Sequence, residues 1–224
     1  MFLHNKPKTC CVPNGRILVA LVTAVWTSAA FAVDCTPSAL RESLATRASA
    51  DQTARKAVIA NASDKAALDV AVRTDRENTA WMREVVAQCK WPRRSEVGEE
   101  GAMHAWVLAQ HADMAPDFQV VAAAAMKDAV LAKEANAEAL SRLVDRNRTL
   151  QKQPQVYALN VEETADKTLR FLPIDDPANL DARRKEIGLA PFYCHAMGVA
   201  HARELPIEWP QGVLFVPAQC PTNE

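Results

Sequence analysis

Glycine and aromatic residues are scarce in this sequence. Only 6 of the 224 residues are glycine, and aromatic residues make up 6% of the chain. An all-β sandwich needs more turn glycines and more β-branched and aromatic side chains, so we expect a mainly α-helical fold. The hydrophobic content of 49% and the charged content of 24% indicate a globular chain and exclude intrinsic disorder.

The sequence also lacks an excess of charge and the common short catalytic motifs. It has 26 basic and 27 acidic residues, so no basic field attracts a nucleic-acid partner. The P-loop, Gly-x-Gly-x-x-Gly and Gly-x-Ser-x-Gly patterns are absent, which excludes the common nucleotide sites and the hydrolase elbow. The five histidines form no His-Glu-x-x-His pattern and have no close set of carboxylates, so we predict no metal site and no cofactor.

The N-terminal segment has the three parts of a secretory signal peptide. Basic residues precede an apolar run, which ends in the small-x-small sequence Ala30-Phe31-Ala32. We therefore predict that residues 1–32 are a signal peptide cleaved after Ala32. The alternative is an uncleaved anchor, because the 17 residues from Ile17 to Val33 are at the lower limit for a membrane span. Cleavage predicts a periplasmic or secreted protein with no stable membrane insertion.

Four cysteines follow the predicted cleavage site and allow three pairings. An exported protein should oxidise them. Cys35 precedes the first predicted helix and Cys89 ends the second, and two helices joined by a short turn lie antiparallel. We therefore predict a Cys35–Cys89 disulfide and, by elimination, a Cys194–Cys220 disulfide. Because the chain has no Cys-x-x-Cys sequence, we do not expect redox chemistry.

The apolar spacing predicts about seven helices and one small β-hairpin in a single disulfide-stapled domain, residues 33–224. Its parts are the N-terminal helix and the start of a helical hairpin (33–74), a central core (75–193), and a helix end with an irregular tail (194–224). The predicted helices are 36–59, 64–89, 99–111, one starting at Pro116, 137–151, 177–187 and 191–203, and the predicted strands are 155–159 and 168–172.

His111 is the first candidate for acid–base chemistry. The sequence Gln110-His111-Ala112-Asp113 ends the third predicted helix, and His111 could act as a general base oriented by Asp113 or Asp145. The alternative is an ordinary helix terminus, in which the imidazole contacts the last carbonyls and Asp113 caps the next helix. The candidate catalytic residues are His111, Asp113 and Asp145.

Other polar residues are candidates for ligand binding. Arg146 could hold a carboxylate or phosphate, and the two arginines of Asp181-x-Arg183-Arg184 could form an anion site or bridge to Asp145. Alternation places Gln155 and Tyr157 on one face of the first predicted strand. The alternative throughout is a structural network of ion pairs and buried hydrogen bonds. The candidate ligand-binding residues are Gln110, Gln119, Arg146, Gln155, Tyr157, Arg183 and Arg184.

The order of these motifs resembles an uncharacterised bacterial family, one of the domains of unknown function. The resemblance runs from about Asp75 to Tyr193 and implies that the polar residues belong to one shared arrangement, but it implies no activity. Members of the family usually continue the Gln-x-Tyr motif with Gly-Thr-Gln, where this chain has Ala158, Leu159 and Asn160. The matching motifs are Asp75-x-x-Asn78-Thr79, Trp91-Pro92, Val97-Gly98, Gln110-His111-Ala112-Asp113, Phe118-Gln119, Asp145-Arg146, Gln155-x-Tyr157, Asp176-Pro177, Asp181-x-Arg183-Arg184 and Ile187-Gly188-Leu189.

These observations favour a binding or interaction module with a polar pocket for a small polar or anionic ligand, such as a cell-envelope fragment. His111, Asp145, Tyr157 and Arg183 would line that pocket. One alternative is a hydrolase that uses the same His, Asp and Arg residues. Another is a structural protein with a buried polar network. The sequence indicates no oligomeric state.

Overall fold

The computed structural model of the protein describes residues 32–214 and Cys220. Within these residues the chain forms seven α-helices and a three-stranded sheet, which confirms the mainly α-helical prediction. The signal-peptide prediction falls on residues of which only Ala32 is described. No helix among the described residues is long and apolar enough to cross a membrane. The helices are α1 (Pro37–Ala60), α2 (Lys65–Cys89), α3 (Arg94–Gln110), α4 (Pro116–Leu131), α5 (Ala137–Leu150), α6 (Leu180–Glu186) and α7 (Phe192–Arg203).

The α1–α2 hairpin forms as the apolar spacing predicts. Leu40, Leu44 and Ala48 form the buried stripe of α1, and the Asp64 side chain caps the first turn of α2 by accepting two backbone N–H groups. Cys35 and Cys89 are joined, with their Cα atoms 5.4 Å apart, so the predicted pairing is confirmed. The disulfide therefore joins the start of α1 to the end of α2, at the end of the hairpin opposite its turn.

Helix α3 begins earlier than the sequence predicts. It starts at Arg94 and not at residue 99, with a kink at Gly98, where φ is +77°. A positive φ is costly for any residue with a Cβ atom, so glycine allows the first turn to continue into the main helix. Gly101 then lies close to Val97, since a Cβ atom at Gly101 would be 2.8 Å from the Val97 Cβ.

Two hydrophobic cores hold the helices together. The larger core includes Leu44, Met82, Leu108, Phe118 and Leu143 and joins α1 to α5. Each large side chain that is fully buried stabilises the fold by roughly 1.5–3 kcal/mol relative to exposure.

The smaller core lies between the sheet and the last two helices. Its buried side chains include Phe171, Leu180 and Phe192. The rings of Phe171 and Phe192 meet edge to face at 4.8 Å, an arrangement that their quadrupoles favour. This core positions α6 and α7 against the sheet.

The sheet corrects part of the hairpin prediction. Strand β1 (Val161–Glu163) pairs antiparallel with β2 (Leu169–Phe171), and β3 (Ile207–Glu208) pairs parallel with β2. The predicted first strand at 155–159 is wrong, because that segment is irregular and Ala158 has φ +58°. The second predicted strand is confirmed, and part of the predicted irregular tail forms β3.

The late helices agree with the prediction apart from one detail. A 3₁₀ turn, Pro177–Asn179, precedes α6, so the predicted helix 177–187 is divided in two. Gly188, with φ +84°, ends α6 as predicted. Cys194 of α7 is joined to Cys220 with their Cα atoms 5.2 Å apart, which confirms the second pairing.

Candidate functional site

His111 is held by a buried aspartate from α1. It is the C-cap residue of α3, and its Nδ1 lies 2.8 Å from Asp51 Oδ2. Asp51 is 1% exposed. The carboxylate that orients His111 is therefore Asp51 and neither Asp113 nor Asp145. The helix-terminus alternative is also wrong in detail, because the N-cap of α4 is Ala115 and has no side-chain cap.

Arg55 links Asp51 to a second carboxylate on α2. Its Nε donates to Asp51 Oδ1 at 3.0 Å, and its Nη2 donates to Asp75 Oδ1 at 2.8 Å. The same Nη2 lies 3.4 Å from the His111 carbonyl oxygen. We call Asp51, Arg55, Asp75 and His111 the acid–histidine cluster. It joins α1, α2 and the end of α3.

The two carboxylates of the acid–histidine cluster have opposite pKa shifts. Burial acts to raise the pKa of Asp51, but the bonds and charges of His111 and Arg55 outweigh it, so this pKa is lowered. Burial raises the pKa of Asp75, and the Asp51 charge adds to that effect despite the opposing Arg55 and His111. Asp51 is therefore ionised near neutral pH.

Asp113 and Arg146 form a separate ion pair. Arg146 donates through Nε at 3.0 Å and through Nη2 at 2.5 Å, one bond to each oxygen of Asp113. The bond to Asp113 raises the pKa of Arg146. This bidentate geometry uses the planar fork of the guanidinium and ties the turn after α3 to α5.

Gln119 and Asn147 extend this link into the core. Gln119 is 1% exposed and donates to the backbone oxygens of Ala109 and Gln110, at 3.3 and 3.1 Å. Asn147 donates to Gln119 Oε1 at 3.0 Å. The predicted ligand-binding amide of Gln119 is therefore engaged with the backbone. Unlike the Oε1 of Gln119, the Oε1 of Gln110 is buried with no partner among the described residues.

Asp145 holds the irregular segment that follows α5. It is fully buried and accepts backbone N–H groups from Val156 at 2.7 Å, Tyr157 at 3.0 Å and Leu159 at 3.1 Å. Burial raises the pKa of Asp145, although these bonds oppose the shift. The carboxylate takes the N–H groups that a neighbouring strand would otherwise accept, which explains why residues 155–159 form no strand.

Gln155, Tyr157 and Arg183 complete this segment. The Gln155 amide donates to the carbonyls of Asn160 and Leu172 at 3.0 and 2.9 Å. Burial raises the pKa of the Tyr157 hydroxyl. All three donor nitrogens of Arg183 bind the backbone oxygens of residues 156, 175 and 176. The hydrogen bonds of Gln155 and Arg183 go to the backbone.

Arg184 is a buried arginine that uses only two of its three nitrogens in hydrogen bonds to the described residues. It is 2% exposed and donates through Nη1 to the Tyr157 carbonyl at 2.5 Å and through Nε to the Ala190 carbonyl at 2.8 Å. Its Nη2 makes no hydrogen bond to the described residues. Burial lowers the pKa of Arg184 to about 10, opposed by the charges of Asp181, Asp145 and Glu138. It forms no ion pair with Asp145 within the described part of the chain.

Arg184 lies in the wall of a cavity of about 670 Å³. We call it the α5–α7 cavity, since α5 and α7 supply most of its lining. Ser141 and Arg142 contribute polar groups from α5, and the Cys194–Cys220 disulfide forms another part of the wall. The lining residues are Glu138, Ser141, Arg142, Leu159, Arg184, Leu189, Ala190, Cys194, His195, Met197, Gly198, Val199, Ala202 and Cys220.

His195 brings a second unpaired group to the α5–α7 cavity. Its Nε2 is buried and has no partner among the described residues. Burial lowers the pKa of His195 to about 4, and the charges of Arg184 and Arg142 add to this shift. The imidazole is therefore neutral near pH 7, and one of its ring nitrogens carries a proton.

Several of these residues are not among those that the sequence predicted. Asp51 continues the buried stripe of α1, so its polar character at a core position was the signal that could have found it. No local sequence pattern connects His195 to Arg142 or Arg184. No group of three or more His, Cys, Asp or Glu side chains among residues 32–214 and 220 could hold a metal ion.

Comparison with known proteins gives a family but no activity. The model of a family of unknown function, DUF6624, matches residues 37–205. No curated protein and no solved structure matches the chain. The match covers all seven helices and most of the networks described above. The chain therefore belongs to DUF6624, a family of unknown function.

Proposed function

We propose that this protein is an exported binding module that holds a small carboxylate with an apolar body in the α5–α7 cavity. The observation that carries the proposal is the unpaired polar groups, Arg184 Nη2 and His195 Nε2, on residues that line one cavity. A buried polar group without a partner costs about 1–3 kcal/mol. His195 Nε2 bears this cost, and a ligand that accepts from it would remove the cost while also accepting from the open Nη2 donor of Arg184.

The volume and lining of the cavity support a small organic ligand. About 670 Å³ is within the range of small-molecule sites. Leu159, Leu189, Met197 and Val199 supply apolar wall, which suits a hydrocarbon body. The polar lining residues include Arg142, Arg184 and His195, and the charges of both arginines act on His195, which suits a ligand with one polar end.

The charges of the site favour a ligand with a single negative charge. Two arginines and one glutamate line the cavity, and Asp145 and Asp181 partly offset the charge of Arg184. The local excess of positive charge is therefore small, and a polyanion would meet these carboxylates. A carboxylate also matches the two-donor geometry of a guanidinium.

Export is supported by a different set of observations. The two disulfides are typical of oxidising compartments, and residues 1–32 have the pattern of a signal peptide. These features support a ligand that is met outside the cytoplasm, in the periplasm or beyond. Fragments of the cell envelope with a free carboxylate are one source of such ligands.

The test compares carboxylates with their neutral amides. Hexanoate and benzoate, with hexanamide and benzamide as controls, are titrated into the purified oxidised protein by calorimetry. We expect the carboxylates to bind with a Kd of about 1 mM or tighter, which corresponds to about 4 kcal/mol. The amides should bind at least about tenfold more weakly, because charge-assisted bonds contribute about 1.5–3 kcal/mol.

Gly198→Leu is the variant that isolates the cavity. A Cβ atom at Gly198 meets nothing within 4 Å, so the leucine side chain can enter the space without displacing core atoms. Leucine also favours a helix more than glycine does, so α7 should remain folded. Loss of carboxylate binding in this variant supports the proposal. Equal binding of acids and amides, or binding unchanged by Gly198→Leu, would contradict it.

A further inference from the structure

We propose that the acid–histidine cluster is a second chemical site, in which His111 is a general base for ester hydrolysis and Asp51 is its positioning residue. This site is independent of the α5–α7 cavity and of the proposed binding function. The sequence offered Asp113 and Asp145 as partners of His111, but the geometry assigns the role to Asp51 and adds Arg55.

The first step of the argument is the tautomer of His111. Asp51 is a carboxylate with a lowered pKa, so it can only accept hydrogen bonds. His111 Nδ1, at 2.8 Å from Asp51 Oδ2, must therefore carry the proton. In the neutral imidazole the lone pair then lies on Nε2, which makes no hydrogen bond to the described residues.

The second step is that Asp51 has other partners besides His111. Arg55 Nε occupies Oδ1 at 3.0 Å, and Gln52 donates to Oδ2 at 2.8 Å. Each carboxylate oxygen therefore has one donor besides His111. The additional bond to His111 orients an imidazole whose side chain is 22% exposed, as the orienting carboxylate does in catalytic triads.

The third step is the positive charge beside the histidine. Arg55 Nη2 lies 3.4 Å from the His111 carbonyl oxygen, and Arg55 Nη1 makes no hydrogen bond to the described residues. The Arg55 side chain is 28% exposed. A guanidinium in this position can stabilise the negative charge that develops on the carbonyl oxygen of an ester under attack.

The reaction then follows ordinary general-base chemistry. His111 Nε2 removes a proton from water as the water oxygen bonds to the ester carbonyl carbon. The bond from that carbon to the alkoxy oxygen breaks, and the leaving alkoxide takes the proton back from Nε2. The products are a carboxylic acid and an alcohol, and no other reactant is needed.

The test uses p-nitrophenyl acetate, a small activated ester, and the rate of an equal concentration of free imidazole is subtracted so that only a positioned histidine counts. We expect His111→Gln to lower the protein-dependent rate by about tenfold or more. His201→Gln is the matched control, since His201 is an exposed histidine on α7 and should leave the rate unchanged. Asp51→Asn should lower the rate and alter its pH profile, since Arg55, Asp75 and Asp51 set the field at His111. An equal loss in the His111 and His201 variants, or no loss in either, overturns the proposal.

A second measurement does not depend on the variants folding. Nitrogen chemical shifts of the His111 ring in the unaltered protein report which nitrogen carries the proton. The proposal requires the Nδ1–H form between pH 7 and 8. Observation of the Nε2–H form would overturn it, whatever the carboxylate titrations of the α5–α7 cavity show.

Discussion

At the scale of single residues, Asp145 takes the place of a β-strand. Its carboxylate accepts the N–H groups of Val156, Tyr157 and Leu159, and the segment after α5 is shaped around it. The alternation of Gln155, Val156 and Tyr157 predicted a strand, because a sequence pattern shows which faces are apolar and not where the acceptors come from. A buried side chain 11 residues or more away in the chain decided the local structure.

This role predicts a large stability effect at Asp145. In Asp145→Asn an amide NH₂ replaces one oxygen and leaves at least one buried N–H without an acceptor. We expect a loss of about 2–4 kcal/mol in the free energy of unfolding, measured by urea titration. His111→Ala should cost less, because its removal leaves Asp51 with Arg55 and Gln52. Equal denaturation midpoints for the two variants would contradict this order.

Asp175→Asn is the matched control for that comparison. Asp175 forms an exposed ion pair with Arg148, and such pairs contribute about 0–1 kcal/mol. A similar chemical change at a surface position should therefore move the midpoint little. A large effect at Asp175 would mean that the loss at Asp145 does not arise from burial.

The lowered pKa of His195 predicts how the stability of the fold changes with pH. Its pKa is lowered to about 4 in the folded protein, against about 6.5 in the unfolded chain. The unfolded chain therefore binds more protons between these values, and the stability from this residue is lost as the pH falls from about 6.5 to about 4. We expect His195→Gln to flatten the fall in unfolding midpoint over this window, while His201→Gln leaves it unchanged. A parallel fall in all three proteins would contradict the expectation.

At the scale of elements, the helices were the predictable part of the fold. Stripes such as Leu40, Leu44 and Ala48 repeat every three to four residues, and the short turn at Asn61 fixes an antiparallel neighbour. This is why the Cys35–Cys89 pairing could be predicted. The parallel pairing of β2 with β3 could not, because Leu169 and Ile207 are far apart in sequence and each strand is short.

The two disulfides should differ in what their removal does. The Cys35→Ser/Cys89→Ser double variant frees a loop spanning 54 residues, which in the chain-entropy account costs about 4 kcal/mol of stability. We expect it to leave carboxylate binding unchanged. The Cys194→Ser/Cys220→Ser double variant removes part of the cavity wall and should weaken binding of hexanoate by about tenfold.

Both double variants are measured by urea unfolding and by calorimetric titration. The comparison separates a clamp on the helical hairpin from a part of the proposed site. Equal affinities for hexanoate in the two variants would mean that the Cys194–Cys220 bridge stabilises the fold but forms no part of the binding site. Weakened binding in the Cys35/Cys89 variant would mean that the cavity depends on the whole fold.

At the scale of the whole molecule, the fold class was predictable and the cavity was not. Periodicity is local, so seven helices follow from short windows of sequence. The α5–α7 cavity depends on how three helices meet, and His195, Arg142 and Arg184 carry no shared pattern. Among the predicted site residues, Gln119, Asp145, Gln155 and Arg183 bind other parts of the chain, and their role toward a ligand stays a prediction.

The proposed export predicts where the mature chain begins. The protein recovered from the periplasm should begin at Val33, because a signal peptidase would cleave after Ala32. N-terminal sequencing and intact mass measure this directly. A mature chain that still begins at Met1 would contradict the proposed export.

The Cys194–Cys220 bridge gives the proposed export a consequence in time. If the protein is exported, its newly made precursor would be in a reducing compartment, where this bond would not form and the cavity would lack part of its wall. Binding would then begin only after translocation and oxidation. The precursor would pass through the cytoplasm without sequestering metabolites there, so a single covalent bond would act as a check on where the protein becomes active.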